Sequence, residues 1–257
     1  MSKISEAFNG HKAFIPFVVA NYPDRETTVK NVVALAQAGA DIVELGIPFS
    51  DPLADGPVIQ AADVQVLGQG ELKMDDLFDL VKEIRQQTDV PLAFLTYLNI
   101  VFRYGYDQFA HRCQQVGVNG LIIPDLPLEE QGELRPFTTK YGIDLIPLVT
   151  PTSGDRVEKI AKQASGFIYV VSSLGVTGER DQFDKHLRQL ITQIRAVTKT
   201  PTAIGFGVHT PEQASQMSQV ADGVIIGSAC VKLIHESGAQ APEELGRYAQ
   251  QITAAIR

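Results

Sequence analysis

Short apolar runs alternate along the chain with longer stretches in which apolar residues recur at helical spacing. Runs apolar on both faces are what the strands of a buried parallel sheet require. The pattern predicts strands at Phe14–Ala20, Asp41–Leu45, Pro91–Leu98, Gly120–Pro124, Ile143–Val149, Gly166–Val171, Thr202–Gly205 and Gly223–Ile226. Between and after them it predicts helices at Arg25–Ala38, Met74–Gln86, Tyr106–Val116, Glu129–Lys140, Asp155–Gln163, Asp184–Val197, Pro211–Met217, Ala229–His235 and Glu243–Ile256. The segments 38–46, 116–125 and 220–227 share one shape: a helix ends at Gly or a small polar residue and an apolar strand begins. Glycine takes the left-handed cap conformation at such a junction at low cost. Eight such units favour a closed barrel over an open doubly wound sheet. The expected fold class is α/β, a (β/α)8 TIM barrel forming a single domain over residues 1–257, with a short N-terminal helix at Ile4–Phe8 across its bottom.

Composition narrows the function. The 257 residues are 44% hydrophobic and 20% charged, ordinary values for a soluble globular protein. A net charge of −8 argues against a nucleic-acid or anionic-membrane partner. It leaves an anionic substrate open, because helix N-termini bind phosphate whatever the global charge. Cys113 and Cys230 sit in helical patterns and suggest no disulfide framework, which fits a reducing cytoplasm. The first ten residues lack the apolar core of a signal peptide, and no run reaches the roughly 18 apolar residues of a membrane span.

Barrels of this kind place their chemistry at the C-terminal ends of the strands. There the second strand carries Glu44, inside an apolar run. A buried carboxylate without a partner is costly, so Glu44 either caps an amide, pairs with a lysine, or serves as a general acid–base with a raised pKa. The loop that follows holds Asp51 and Asp55. Either could be a turn residue, but three acids within twelve residues exceed what turns require. Glycine clusters follow the sixth, seventh and eighth strands, at Gly175–Gly178, Gly205–Val208 and Gly227-Ser228. Clusters after the last two strands, with Ser at a helix start, match the usual phosphate site of such barrels; tight packing is the alternative. Phe17, Leu95, Tyr97, Tyr169 and Phe206 stand near strand ends, where they could hold a flat apolar substrate or simply fill the core. The five histidines show no zinc spacing and are expected mostly on the surface. No Gly-x-Ser-x-Gly elbow or Walker motif is present, and lysines such as Lys82, Lys140 and Lys162 fall outside the strand ends.

The stretch Glu44-Leu-Gly-Ile-Pro-Phe-Ser-Asp-Pro-Leu-Ala-Asp-Gly-Pro57 resembles the signature of the tryptophan synthase alpha-subunit family. The resemblance extends over the chain through Phe14–Phe17, Tyr97–Asn99, Pro124–Pro127, Leu174–Gly178, Gly205–Gly207 and Gly227-Ser228. It implies a lyase of tryptophan biosynthesis that cleaves indole-3-glycerol phosphate to indole and D-glyceraldehyde 3-phosphate. It further implies Glu44 and Asp55 as the catalytic pair. Phe17, Leu95, Tyr97, Ile122, Leu148, Tyr169 and Thr177 would line the indole side, and Gly178, Phe206, Gly207, Gly227 and Ser228 would contact phosphate. No metal or cofactor is implied in this chain; pyridoxal phosphate would reside in a beta-subunit partner within an α2β2 heterotetramer. Asn99–Tyr104, read as a loop, and Asp51–Leu53 are the expected partner contacts, and 51–60 and 173–184 the expected lids. Two departures stand out: Asn21-Tyr22-Pro23, where many members carry Gly, and Ser173-Leu174, where some carry Arg-Ser. Three competing readings remain at this point: another phosphate-binding barrel enzyme, a non-catalytic regulatory homologue, and a free-standing indole-releasing lyase.

Overall fold

The structure, a computed structural model, describes residues 2–70, 72–172, 180–205 and 207–257. Its centre is one parallel sheet: β1 (Ala13–Val19), β2 (Val43–Gly46), β3 (Leu92–Leu95), β4 (Gly120–Ile122), β5 (Asp144–Ile146), β6 (Leu148–Val149), β7 (Ile168–Val171), β8 (Thr202–Gly205) and β9 (Gly223–Ile226). The order is β5-β4-β3-β2-β1-β9-β8-β7-β6. β5 and β6 stand at opposite ends of that order yet are separated in the chain by Pro147 alone. They are therefore the two halves of one barrel strand. The first half bonds to β4 and the second to β7, with the Pro147 carbonyl accepting the Tyr169 N–H at 3.0 Å. Proline has no N–H to offer a ladder, so the strand changes partners at the one residue that would break it anyway. Counted this way, the eight-stranded barrel anticipated from the sequence is closed.

Strand alternation divides the core in two. Ala13, Ile15, Ile42, Ala93, Ile122 and Ile225 belong to an inner cluster within the barrel, while Phe14, Val18, Val43, Leu45, Phe94 and Leu121 pack outward against the helices. The inner cluster is closed from below by α1 (Lys3–Glu6), whose Ile4 is fully buried and approaches Gly120 and Gly166. The two junction glycines anticipated as left-handed, Gly39 and Gly117, have φ of 99° and 88°.

Around the sheet lie α2 (Arg25–Gln37), α3 (Pro57–Gly68), α4 (Met74–Arg85), α5 (Leu98–Tyr104), α6 (Tyr106–Val116), α7 (Arg135–Lys140), α8 (Val157–Lys162), α9 (Arg180–Arg195), α10 (Pro211–Ser218), α11 (Ser228–Ser237) and α12 (Ala241–Ile256). Local chemistry starts several of them. Asp24 caps α2 by accepting the Thr27 N–H at 2.8 Å, and Thr210 and Gln213 form a capping box on α10.

Some expectations need correction. Asn99–Tyr104 is not a loop but most of helix α5, and α3 was not anticipated at all. α3 buries Ala62, Asp63 and Val66, so a carboxyl interrupts its apolar face and hides the helical period. The helix expected at Glu129–Lys140 is a 3-10 turn, Leu128–Glu130, and then α7; the one expected at Asp155–Gln163 is likewise a 3-10 segment, Pro151–Arg156, leading into α8. The third strand ends at Leu95 rather than Leu98, because Tyr97 already caps α5.

Candidate active site

Strand β2 carries Glu44 on the same inward face as Ile42, two residues earlier. Its neighbours in register are Phe17 on β1 and Ala93 on β3. The side chain is 1% exposed, and its Oε1 has no hydrogen-bond partner among the described residues. Burial pushes the Glu44 carboxyl well above the usual carboxylate range. Neither a capping nor a lysine-pairing role accounts for that oxygen. A neutral carboxylic acid in an apolar cavity is a proton donor waiting for an acceptor.

The loop between β2 and α3 brings the second acid. Asp55 precedes the helix by two residues, and its Oδ2 accepts the Tyr97 hydroxyl at 2.8 Å. Burial raises the Asp55 carboxyl, and the Tyr97 hydrogen bond pulls it back. The Tyr97 oxygen also accepts the Ala54 N–H at 3.0 Å, while its ring stacks on Phe49 with centroids 4.8 Å apart. The Gln60 side chain donates to the Asp55 carbonyl at 2.8 Å. Tyr97, anticipated on the indole side, is not among the residues lining the cavity that Glu44 and Asp55 share; its hydroxyl reaches Asp55.

Glu44 and Asp55 line one cavity of about 780 Å³, partly open to solvent. Phe17, Leu95, Ile122, Leu148 and Tyr169 give it apolar lining, and Gly207, Gly227 and Ser228 line it as well. Ser228 is the first residue of α11, so that helix N-terminus opens beside the cavity. Two glycines make room for the aromatic wall: a Cβ on Gly46 would overlap the Phe17 ring, and one on Gly205 would overlap the Tyr169 ring. Thr177, Gly178 and Phe206 lie outside the described residues, as does most of the expected lid at 173–184. The other expected lid, 51–60, is a loop only as far as Gly56.

Sequence reasoning missed Ala54, Gly56, Ile59, Pro124, Val208, His209 and Ile225 as lining residues. His209 is exposed, as histidines were expected to be, but stands at the cavity rim. Ile59 was lost with α3. Among the described residues no cluster of His, Cys, Asp and Glu could hold a metal ion.

A family model for the tryptophan synthase alpha chain matches residues 5–256. The chain belongs to the tryptophan synthase alpha chain family. The alpha chain of Lacticaseibacillus casei is 60% identical over 256 residues, covering 100% of this chain and 96% of that one. That of Lactiplantibacillus plantarum is 58% identical over 235 residues, covering 91% and 89%. Tryptophan synthase subunit alpha from Legionella pneumophila superposes with a TM-score of 0.89 at 34% identity, covering 100% of this chain and 98% of that one. A chain of the Mycobacterium tuberculosis tryptophan synthase in its aminoacrylate-bound form gives 0.89 at 32% identity, with 100% coverage of both.

Membership in the tryptophan synthase alpha chain family makes this chain a lyase, which cleaves indole-3-glycerol phosphate to indole and glyceraldehyde 3-phosphate in tryptophan biosynthesis. It also removes the reading as some other phosphate-binding barrel enzyme. One departure from the alpha-chain pattern finds its reason here. Asn21 has a φ of 66°, the left-handed region that glycine favours and that asparagine tolerates best among the other residues. Asn21 therefore does what a glycine does in this turn. Ser173-Leu174 lies outside the described residues.

Proposed function

We propose that the alpha reaction takes place in this cavity, with Glu44 as the proton shuttle and Asp55 as the countercharge to the indole nitrogen. The observation that carries the assignment is the buried, partnerless Glu44 oxygen in the cavity that Asp55 also lines.

The chemistry balances with one carboxyl. Neutral Glu44 donates its proton to carbon 3 of the indole, and positive charge develops at the ring nitrogen, where the Asp55 carboxylate stabilises it. Glu44, now a carboxylate, takes the proton from the hydroxyl on the adjoining side-chain carbon. The O–H electrons form the aldehyde C=O, the carbon–carbon bond breaks, and its electron pair returns to the ring and cancels the charge on nitrogen. Glu44 ends protonated, as it began. Phe17, Leu95, Ile122, Leu148 and Tyr169 hold the flat ring, while the amides at Gly207, Gly227 and Ser228 hold the phosphate beside the α11 N-terminus. The same assignment gives Thr177 to the indole and Gly178 and Phe206 to the phosphate. Every step uses side chains of this chain, with no cofactor in this subunit.

The partner is a beta subunit carrying pyridoxal phosphate, in an α2β2 assembly. Leu53 is 90% exposed and Phe102, on α5, 64%. Both segments rank among the expected partner contacts, and large apolar side chains left in water favour burial against another chain. A reducing cytoplasm suits two free, buried cysteines, Cys113 and Cys230. No helix among the described residues is long and apolar enough to cross a membrane.

Indole release from indole-3-glycerol phosphate tests the assignment. Glu44→Gln abolishes turnover and leaves substrate affinity nearly intact, and Asp55→Asn loses most of the turnover. Near-normal turnover in Glu44→Gln, or an Asp55→Asn effect confined to KM, refutes the roles given.

A further inference from the structure

Tyr97 is the N-cap residue of α5, yet its side chain makes no cap hydrogen bond to that helix. Its hydroxyl is engaged elsewhere, on Asp55 and Ala54. The helix takes its cap from the neighbouring loop instead. Asp125, just beyond β4, accepts the N–H of Leu98, the first residue of α5, at 3.0 Å on Oδ1 and 3.3 Å on Oδ2. On the other side of Tyr97, the Thr96 N–H donates to the Ile122 carbonyl at 3.0 Å. The residues before and after Tyr97 are therefore both tied to one segment, 122–125. We propose that Asp125 is a positioning residue for the lyase reaction: by accepting the Leu98 N–H it fixes the backbone at Tyr97, and through the Tyr97 hydroxyl it holds Asp55 in place. The inference rests on the reading of Asp55 given above.

The physical reason lies in how the two strands end. Paired residues of β3 and β4 run as far as Leu95 and Ile122, and the Thr96 N–H adds one more bond to that ladder. In a parallel ladder the next N–H to reach across lies two residues on, at Leu98, and would meet the Pro124 carbonyl. The chain turns into α5 at that point, and the first N–H groups of a helix have no partner within it. The Asp125 side chain supplies the acceptor, so the tie to the β4 segment continues over the residue that carries the hydroxyl. The loop that bears Asp55 needs such support. Residues 47–56 have little regular structure, and their hydrogen bonds are few and local, such as Asp55 N–H to the Pro52 carbonyl. A catalytic oxygen on a loop of that kind is held accurately only if rigid elements brace it. Tyr97 is the brace, at Ala54 and Asp55, and its ring can place a hydroxyl only as accurately as its own backbone is held. Asp125 is not among the residues lining the active-site cavity; it lines a neighbouring one that shares Ala54, Pro124 and Leu148 with it. It therefore acts through Tyr97 and not on the substrate.

Five proteins measured for indole release decide the matter: the parent chain, Asp125→Ala, Asp125→Asn, Tyr97→Phe, and the Asp125→Ala/Tyr97→Phe double variant. A misplacement of about 1 Å at a catalytic group can cost about 100-fold in rate, so Asp125→Ala is expected to lower kcat about tenfold, with KM changed less than about threefold. Asp125→Asn keeps an oxygen for the Leu98 N–H and is expected to recover most of that loss. In the Tyr97→Phe background the hydroxyl is already gone, so the double variant is little worse than Tyr97→Phe alone. Parent-like kcat in Asp125→Ala or in Tyr97→Phe, equal impairment of Asp125→Asn and Asp125→Ala, or losses that multiply in the double variant overturns the proposal. Leu98→Pro tests the same bond from the donor's side. Proline suits the first position of a helix and deletes the N–H that Asp125 accepts, while the extended Tyr97, with φ −105° and ψ 147°, already has the conformation that a following proline requires. Leu98→Pro is expected to lower kcat about as much as Asp125→Ala does, and a parent-like value overturns the proposal. Should Asp125→Ala fail to fold, Leu98→Pro and Asp125→Asn still decide it: impaired and near-parental kcat respectively support it, and any other pairing overturns it. A wrong assignment of Asp55 is recognised separately, because Asp55→Asn would then stay active.

Discussion

The hydroxyl of Tyr97 is shared between Asp55 and its own loop: it donates to Asp55 Oδ2 at 2.8 Å and accepts the Ala54 N–H at 3.0 Å. One oxygen therefore fixes both the carboxylate and the backbone that carries it. Removing that oxygen leaves a part-buried carboxylate short of a donor and a backbone amide short of an acceptor. A hydrogen bond to a charged group contributes about 1.5–3 kcal/mol, and each ~1.4 kcal/mol is a factor of about ten in rate. Tyr97→Phe, which preserves the stack on Phe49, is expected to lower kcat/KM roughly 10- to 100-fold in the indole-release assay. An unchanged value would mean that the hydroxyl does not orient Asp55.

Glu44 predicts an unusual pH profile. Its carboxyl lies well above the ordinary range because of burial, so it is protonated where surface carboxylates are ionised. In the mechanism proposed above, the reaction needs that proton at the outset. Activity should therefore fall as pH rises through the Glu44 pKa, on the alkaline side where an ordinary glutamate would cause no change. A difference infrared spectrum between the parent chain and Glu44→Gln at neutral pH should show the C=O stretch of a protonated carboxylic acid. Its absence would mean that Glu44 is ionised in the resting enzyme.

The glycines at 46 and 205 predict a steric effect. A Cβ at either position overlaps an aromatic ring of the cavity wall, Phe17 or Tyr169. Overpacking of this kind costs about 1–3 kcal/mol, and each kcal/mol lowers Tm by roughly 2–4 °C in a domain of this size. Gly205→Ala should lower Tm and raise KM for indole-3-glycerol phosphate, since Tyr169 must give way within the binding wall. Thermal melts and steady-state kinetics on the same preparation check both; parent-like values in both would show that the ring has room the structure does not indicate.

Asp63 leaves a mark on stability. Its folded carboxyl is raised from 3.8 to about 7, first by burial and then by Asp55, so the folded state holds a proton that the unfolded chain releases. The stability this contributes is complete below about 4 and is lost as pH rises to about 7. Asp63→Asn has no proton to lose. Urea midpoints at about pH 5 and about pH 8 should show the parent chain losing stability relative to Asp63→Asn at the higher pH. A constant difference between the two proteins would place the Asp63 carboxyl at its ordinary value.

Much of this was legible along the chain. Strand runs such as Thr202–Gly205 and Gly223–Ile226 coincide with their observed limits, as does the Tyr106–Val116 helix, because two- and four-residue periods are local properties of sequence. The same alternation that puts Ile42 inside the barrel puts Glu44 there, so the position of that acid was readable. The α3 helix was not, since the polar Asp63 on its buried face breaks the period; nor was the α5 helix, whose N-cap Tyr97 makes no side-chain cap hydrogen bond.

By itself, then, the order of residues determined the repeating strand–helix unit, the inward acid on the second strand and the glycines at the last strand ends. Only the tertiary structure decided that Glu44 Oε1 finds no hydrogen-bond partner among the described residues, that the barrel closes through two halves of one strand at Pro147, and that the Tyr97 hydroxyl turns to Asp55. The division has a physical cause. Periodicity arises from backbone geometry within a few residues. A hydrogen bond across 42 positions, such as that between Tyr97 and Asp55, exists only once distant segments have been packed together.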